Sequence, residues 1–193
     1  NGDIVEIDGV KFGGCDGWYT DDYISHWEKQ RTDKPIVNAF WQTSVSDSKY
    51  IFGSEHFDSI WEQERSKLKA VYQECDVMIT HVNPSHLKEH QDPKYTNSQI
   101  TTFFCFNGHE YLNGGVMKYW IYGHTHSKNS YNIKDVQVLC NPVGYPGENK
   151  DFVTESFEIY SICAIVKHTI EYLYKQANAI SGRDVYLIEL FDS

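Results

Sequence analysis

Positive charge is what this 193-residue sequence is shortest of: 17 Lys and Arg stand against 27 Asp and Glu, for a formal net charge of −10. No cluster of Lys or Arg forms a basic stripe, so a surface for a nucleic-acid duplex is not expected. Long apolar runs are missing too. The longest, residues 162–166, falls far short of the roughly 20 residues that cross a bilayer, and no charged-then-apolar leader precedes the first predicted strand. A soluble, unsecreted, cytoplasmic protein with no membrane partner is the expectation. Cysteine pairs are absent as well. Cys15, Cys75, Cys105, Cys140 and Cys163 are odd in number and contain no CxxC, which fits buried thiols in a reducing compartment better than a disulfide framework or zinc ribbon.

Aromatic residues, by contrast, are plentiful, with 14 Tyr, 10 Phe and 5 Trp. At 40% hydrophobic and 23% charged residues the chain can bury a sizeable core, which argues against disorder and for one domain over residues 1–193. No internal repeat, low-complexity tract or linker interrupts it.

Two short strands, 4–7 and 10–12, are predicted around Asp8-Gly9, a dipeptide suited to the positive φ angles of a tight hairpin. The chain opens on this hairpin without an initiator Met, so a preceding segment is expected. Phe57, Ile60, Trp61, Leu68, Val71 and Tyr72 recur at helical spacing and predict a helix over 55–74, capped by Ser54. Glu62, Glu64, Arg65, Lys67 and Lys69 form its solvated face. A strand over 76–80 follows, ends at His81 and is stopped by Asn83-Pro84. A second helix from near Ser98 through Phe103, Phe104 and Phe106, a Gly114-Gly115 break and a strand over 119–122 repeat the order. Strands over 136–140 and 185–190 and a helix over 156–178 complete an α/β layering.

Gly123-His124-Thr125-His126 stands directly after the strand over 119–122. Histidines at i and i+2 on extended backbone point to one side, so both can face one metal centre. Gly123 fits a sharp turn that approaches an ion or phosphate closely. Thr80-His81 stands at another strand's end. Ligands of α/β sheets gather at the carboxyl ends of strands, so His81, His124 and His126 can converge although distant in sequence. The bland alternatives are exposed loop histidines for His124 and His126 and a hydrogen-bonded strand-end histidine for His81.

His81 in a Thr-His-x-x-Pro context, Gly-His-Thr-His after it, and then Asn141-Pro142-Val143-Gly144-Tyr145-Pro146 resemble the last motifs of the calcineurin-like metallophosphoesterases. The opening hairpin and Trp18 resemble the segment after that family's Gly-Asn-His motif. The similarity runs over about residues 3–148. It implies the C-terminal part of a sandwich of two mixed β-sheets flanked by helices, with two divalent metal ions (Mn, Fe or Zn) in the complete enzyme. His81 and His124 would ligate the second metal and His126 the first. The activity implied is hydrolysis of a phosphate mono- or diester by a two-metal-activated hydroxide, on a phosphorylated small molecule or nucleotide. Trp18, Asn141 and Tyr145 are the implied substrate-pocket candidates.

Three motifs that precede this region in the family, Asp-x-His, Gly-Asp and Gly-Asn-His, are missing. Gly2-Asp3 is not followed by the rest of a motif, and Asn107-Gly108-His109 has the wrong order and place. No catalytic residue is therefore identified, and the chain alone is expected to be inactive. Without carboxylates to offset two dications, it is expected to hold at most one weakly bound ion, of the Zn type that imidazoles suit. The N-terminal half would be supplied in cis or in trans; lacking it, a sheet edge and an apolar face would lie exposed.

The alternative of a different class is an inactive remnant that binds a partner or a single structural ion. Asp16, Asp21 and Asp22 have no spacing that recommends them as ligands. Trp18, Tyr19, Tyr23, Trp27 and Trp41 could wall a leaving-group pocket, but residues of this kind are more often core. His26, His56, His86, His90, His109 and His168 are read as structural or surface histidines.

Overall fold

A computed structural model describes residues 1–28 and 33–154. The predicted helix over 156–178, the strand over 185–190, Cys163 and His168 lie outside those residues. The architecture is α/β, a six-stranded mixed sheet flanked by helices. Strands β1 (Ile4–Ile7), β2 (Val10–Gly14), β3 (Val77–Thr80), β4 (Tyr119–Tyr122), β5 (Asn129–Ile133) and β6 (Val136–Cys140) lie in the order β1-β2-β3-β4-β6-β5. The central four run parallel and the two edges antiparallel.

Parallel neighbours require long crossovers. Between β2 and β3 the chain passes through α1 (Asp22–Glu28), α2 (Lys34–Ser44), α3 (Asp47–Tyr50) and α4 (Trp61–Val71). Between β3 and β4 it makes two 3-10 turns, Lys88–His90 and Gln99–Phe104, and α5 (His109–Gly114). The edge strands need only hairpins. Asp8 and Gly9 take φ of 50° and 78°, as a two-residue turn of that hand demands, and Lys134 does the same at 52° between β5 and β6.

The two faces of the sheet differ. Met78 and Thr80 of β3, Trp120 and Tyr122 of β4 and Val138 and Cys140 of β6 share one face and are all buried. Leu68 and Val71 of α4, with Phe103, Phe106, Tyr19 and Trp41, belong to the same core. On the opposite face the register aligns Val5 with Phe12 and Val77, and Ile79 with Ile121 and Leu139. There Val5 is 58% exposed, Ile7 56% and Ile79 44%, although Ile79 belongs to a central strand. Val77 on this face is buried, but the exposure of Val5, Ile7 and Ile79 leaves an apolar stretch without its cover among the described residues.

Several sequence expectations need correction. The helix over 55–74 is shorter, because Phe57 is drawn into the core and its backbone is taken by tertiary partners. Trp18 Nε1 donates to Phe57 O at 2.6 Å, and Phe57 N donates to Asn38 Oδ1 at 3.0 Å. Ser54 does not cap α4; its hydroxyl donates to Ile51 O at 2.6 Å. Glu64 is not on a solvated face but only 1% exposed, accepting from Asp16 N at 2.8 Å, Gly17 N at 3.3 Å and Lys67 Nζ at 2.5 Å. The helix from Ser98 is a 3-10 turn capped by that serine. Helices α1 and α2 and strand β5 are additional; in α2 only Val37 and Trp41, one turn apart, are buried.

Candidate functional site

Because β2, β3, β4 and β6 run parallel, their carboxyl ends share one edge, and the loops that leave them deliver the site. Two backbone bonds hold those exits together. His81 N donates to Asp16 O at 2.9 Å, and Gly123 N donates to His81 O at 3.1 Å. Just before His81, Thr80 Oγ1 donates to Val82 O and accepts from Trp120 Nε1, both at 2.8 Å. The two strand ends are thus pinned before either histidine begins.

His81 and His124 have ring centres 4.5 Å apart. They line a cavity of about 520 Å³ that also takes in Asp47, Asp92, Lys94, Phe104, His126, Tyr145 and Glu148. His124 adopts a φ of 65°, so the sharp turn expected at Gly123 is made in left-handed form by the histidine itself. A Cβ on Gly123 would meet only His81 O, at 3.7 Å. Such a φ in a residue with a Cβ costs on the order of 1 kcal/mol and persists only where surrounding structure dictates it. The premise of extended backbone through 124–126 therefore fails, yet both histidines reach the same cavity.

Burial, reinforced by the neighbouring imidazoles of His81 and His126, pushes the His124 pKa down to about 3, so the ring is neutral. A hydrogen bond to the backbone of Phe103 opposes that shift. His124 Nε2 is buried and has no hydrogen-bond partner among the described residues. A tautomer with its proton on Nδ1, toward the Phe103 backbone, would leave the lone pair on Nε2. Asp47 Oδ2 lies 3.9 Å from that nitrogen, and Phe104 stacks on the ring at 4.5 Å.

His126 sits more openly, with Nδ1 2.8 Å from Glu148 Oε2 and the Tyr145 ring edge-on at 4.5 Å. Glu148 also accepts from Tyr145 N at 2.8 Å, which holds the carboxyl below its usual range, and Asn149 Nδ2 donates to His126 O at 2.9 Å. Ser127 Oγ donates to Asp92.

Of the substrate-pocket candidates, only Tyr145 faces the cavity. Trp18 is 4% exposed and stacked on Tyr19 in the core, and Tyr19, Tyr23 and Trp41 are buried with it. Asn141 turns elsewhere, donating to Val153 O at 3.1 Å. Asp47, Asp92 and Glu148 were invisible in the sequence, since each stands in a polar stretch like many others and only the crossovers bring them here.

A neutral buried imidazole with an unused lone pair, a second imidazole beside it and a carboxylate nearby make a donor set that fits a divalent transition-metal ion. Among the described residues, however, no group of three or more His, Cys, Asp or Glu side chains is already gathered as a metal site. The set is therefore a partial one, and His126 and Glu148 pair with each other.

No family model matches the chain. It is similar to Uncharacterized protein L509 of Acanthamoeba polyphaga mimivirus, 24% identical over 164 residues that make up 79% of this chain and 56% of the relative. The chain thus spans little more than half the length of that protein. Among the described residues, no helix is long and apolar enough to cross a membrane.

Proposed function

We propose that this cavity is the histidine side of a metal-dependent phosphoesterase centre, in a metallophosphoesterase-type sandwich whose second sheet covers the open apolar face. The observation that carries the reading is the buried, neutral His124 Nε2, unpartnered beside His81 where two parallel strands end. The resemblance of the Thr-His-x-x-Pro and Gly-His-Thr-His segments points the same way. His81, His124 and Asp47 would hold one ion. A second, of Mn, Fe or Zn in the complete enzyme, needs carboxylates from a further segment, in cis or in trans. When bound, such ions supply Lewis acidity and charge compensation toward a phosphoryl group.

The chain's own residues have separate tasks in this reading. Lys94 offers a cation on the cavity wall for an anionic substrate. Phe104 limits the tilt of His124, and Glu148 fixes His126. Tyr145, largely exposed, presents a ring against which a base or aryl leaving group can lie.

The second reading, a non-catalytic module holding a partner or one ion, is favoured by the lack of three gathered ligands among the described residues. Metal content after exposure to Mn or Zn, together with hydrolysis of p-nitrophenyl phosphate and its diester, separates the two. Both are measured with and without an upstream segment, and with His124→Ala. Metal-dependent turnover that His124→Ala abolishes is expected. Turnover absent in every combination leaves the binding module, and turnover indifferent to the substitution removes this cavity as its source.

A further inference from the structure

A second group of imidazoles lies away from the cavity. His26, in the last turn of α1, has its ring centre 4.6 Å from that of His86, in the loop after β3. His86 lies 5.5 Å from His109, the first residue of α5. None of the three lines the cavity.

We propose that His26, His86 and His109 form a site for one divalent transition-metal ion of the Zn(II) class, which ties α1, the loop after β3 and α5 together. Three observations converge on it. His86 is only 6% exposed, and its Nδ1 is buried with no hydrogen-bond partner among the described residues. A buried imidazole nitrogen in that state keeps an uncompensated desolvation cost unless something occupies it. The spacing also fits. With metal–nitrogen bonds of roughly 2.0–2.1 Å and ring centres about 1 Å behind each nitrogen, two imidazoles on one tetrahedral ion have centres about 5 Å apart. The two separations bracket that value.

The supporting contacts match those that orient a ligating histidine. His109 Nε2 is engaged by Ser85 Oγ at 3.2 Å, and the same hydroxyl bonds His90 Nδ1 at 2.8 Å. Ser85 is buried, and His90 is stacked flat on Tyr131 at 3.9 Å. This relay fixes the His109 ring, and where His109 Nε2 is the donor to Ser85 the lone pair stands on Nδ1. Trp27 Nε1 donates to His86 O at 3.0 Å, anchoring α1 beside the loop. Asp22 supplies negative charge toward His86 while its carboxylate caps Asn107 N at 3.0 Å. Burial lowers the pKa of His86 and of His109, which favours the neutral form of both rings. The third ligand, His26, is exposed at the end of α1 and must turn about its side-chain bonds, since the three nitrogens do not yet meet at one point.

The test is titration of the full chain with Zn(II) alone against a chromophoric chelator, in wild type and in a His124→Ala background that removes the cavity's contribution. One ion per chain is expected to persist in that background. Its affinity should fall at least tenfold with His26→Ala and with His109→Gln, and stay unchanged with His56→Ala, a distant exposed histidine. In the wild-type background the pair His26→Ala and His109→Gln together should lower the stoichiometry by one, which keeps the test valid should His124→Ala not fold. Absence of the ion in both backgrounds, or its retention at undiminished affinity in the paired variant, overturns the site and leaves a packed histidine cluster.

Discussion

The cavity histidines leave two adjacent parallel strands, whereas His26, His86 and His109 come from a helix end, a loop and the start of a short helix. In the first group a buried Nε2 stands open to a cavity with carboxylates on its wall. In the second the buried Nδ1 of His86 belongs to a ring packed against two other imidazoles, of which His109 is steadied by Ser85. The difference teaches where chemistry is foreseeable. Strand ends of a parallel sheet are a common address for ligands. The second group is assembled by packing alone, and nothing in its spacing along the chain announces it.

The largest effect expected is on the cavity side. If the phosphoesterase reading holds, His124→Ala lowers metal-dependent hydrolysis by about 100-fold or more. His26→Ala leaves it within about twofold, as steady-state assays of the same preparations would show. Equal losses in both would erase the distinction between the groups.

The metal-free chain should also reveal His124 in its pH dependence. Folded His124 stays neutral down to about pH 3, whereas an unfolded histidine binds a proton below about 6.5. The unfolded state therefore takes up the extra proton between those limits. Stability is full above about pH 6.5 and falls as the pH drops toward 3, by on the order of a few kcal/mol for this group. The lowered pKa values of His86 and His109 act in the same direction. Denaturation at a series of pH values should show a shallower acid loss for His124→Phe; an unchanged slope would place the proton uptake elsewhere.

Glu64→Ala tests how the cavity is held up. Its carboxylate fixes Asp16 and Gly17, and Asp16 O in turn accepts from His81 N. The substitution is expected to cost about 3 kcal/mol in urea denaturation, with cavity metal binding weakened and the His26 group spared. Thr80→Val leaves Trp120 Nε1 buried without its acceptor and should cost about 2 kcal/mol by the same measurement. The smallest effect is Gly123→Ala. No positive φ and no close neighbour oppose a methyl group there, so a change within about 0.5 kcal/mol is expected. A loss of several kcal/mol would return the turn to the glycine.

Much of the sheet was legible. The predicted strand over 119–122 coincides with β4 and that over 136–140 with β6, and the hairpin turn stands at Asp8-Gly9 as expected. Apolar runs bounded by turn residues carry that information locally. Strand β5 was missed because Asn129-Ser130-Tyr131-Asn132-Ile133 is polar and gains its conformation by pairing with β6. Phe57 was placed in a helix because its spacing is helical, but Trp18 and Asn38, far along the chain, hold it out. The strand-end addresses of His81 and His124 were legible; the left-handed φ of His124 and the approach of Asp47 were not.

By itself the sequence determined the α/β order, the burial of Cys15, Cys75, Cys105 and Cys140, and which histidines stand at strand ends. Those depend on short-range pattern, which hydrophobic periodicity and turn chemistry write into neighbouring residues. Only the tertiary structure decided that Glu64 turns inward, that Trp18 is core, that three acidic side chains line the cavity and that the His86 ring packs against those of His26 and His109. Each of these depends on segments brought together by crossovers, and the free energy of burying and pairing their side chains is fixed by partners that no local window contains.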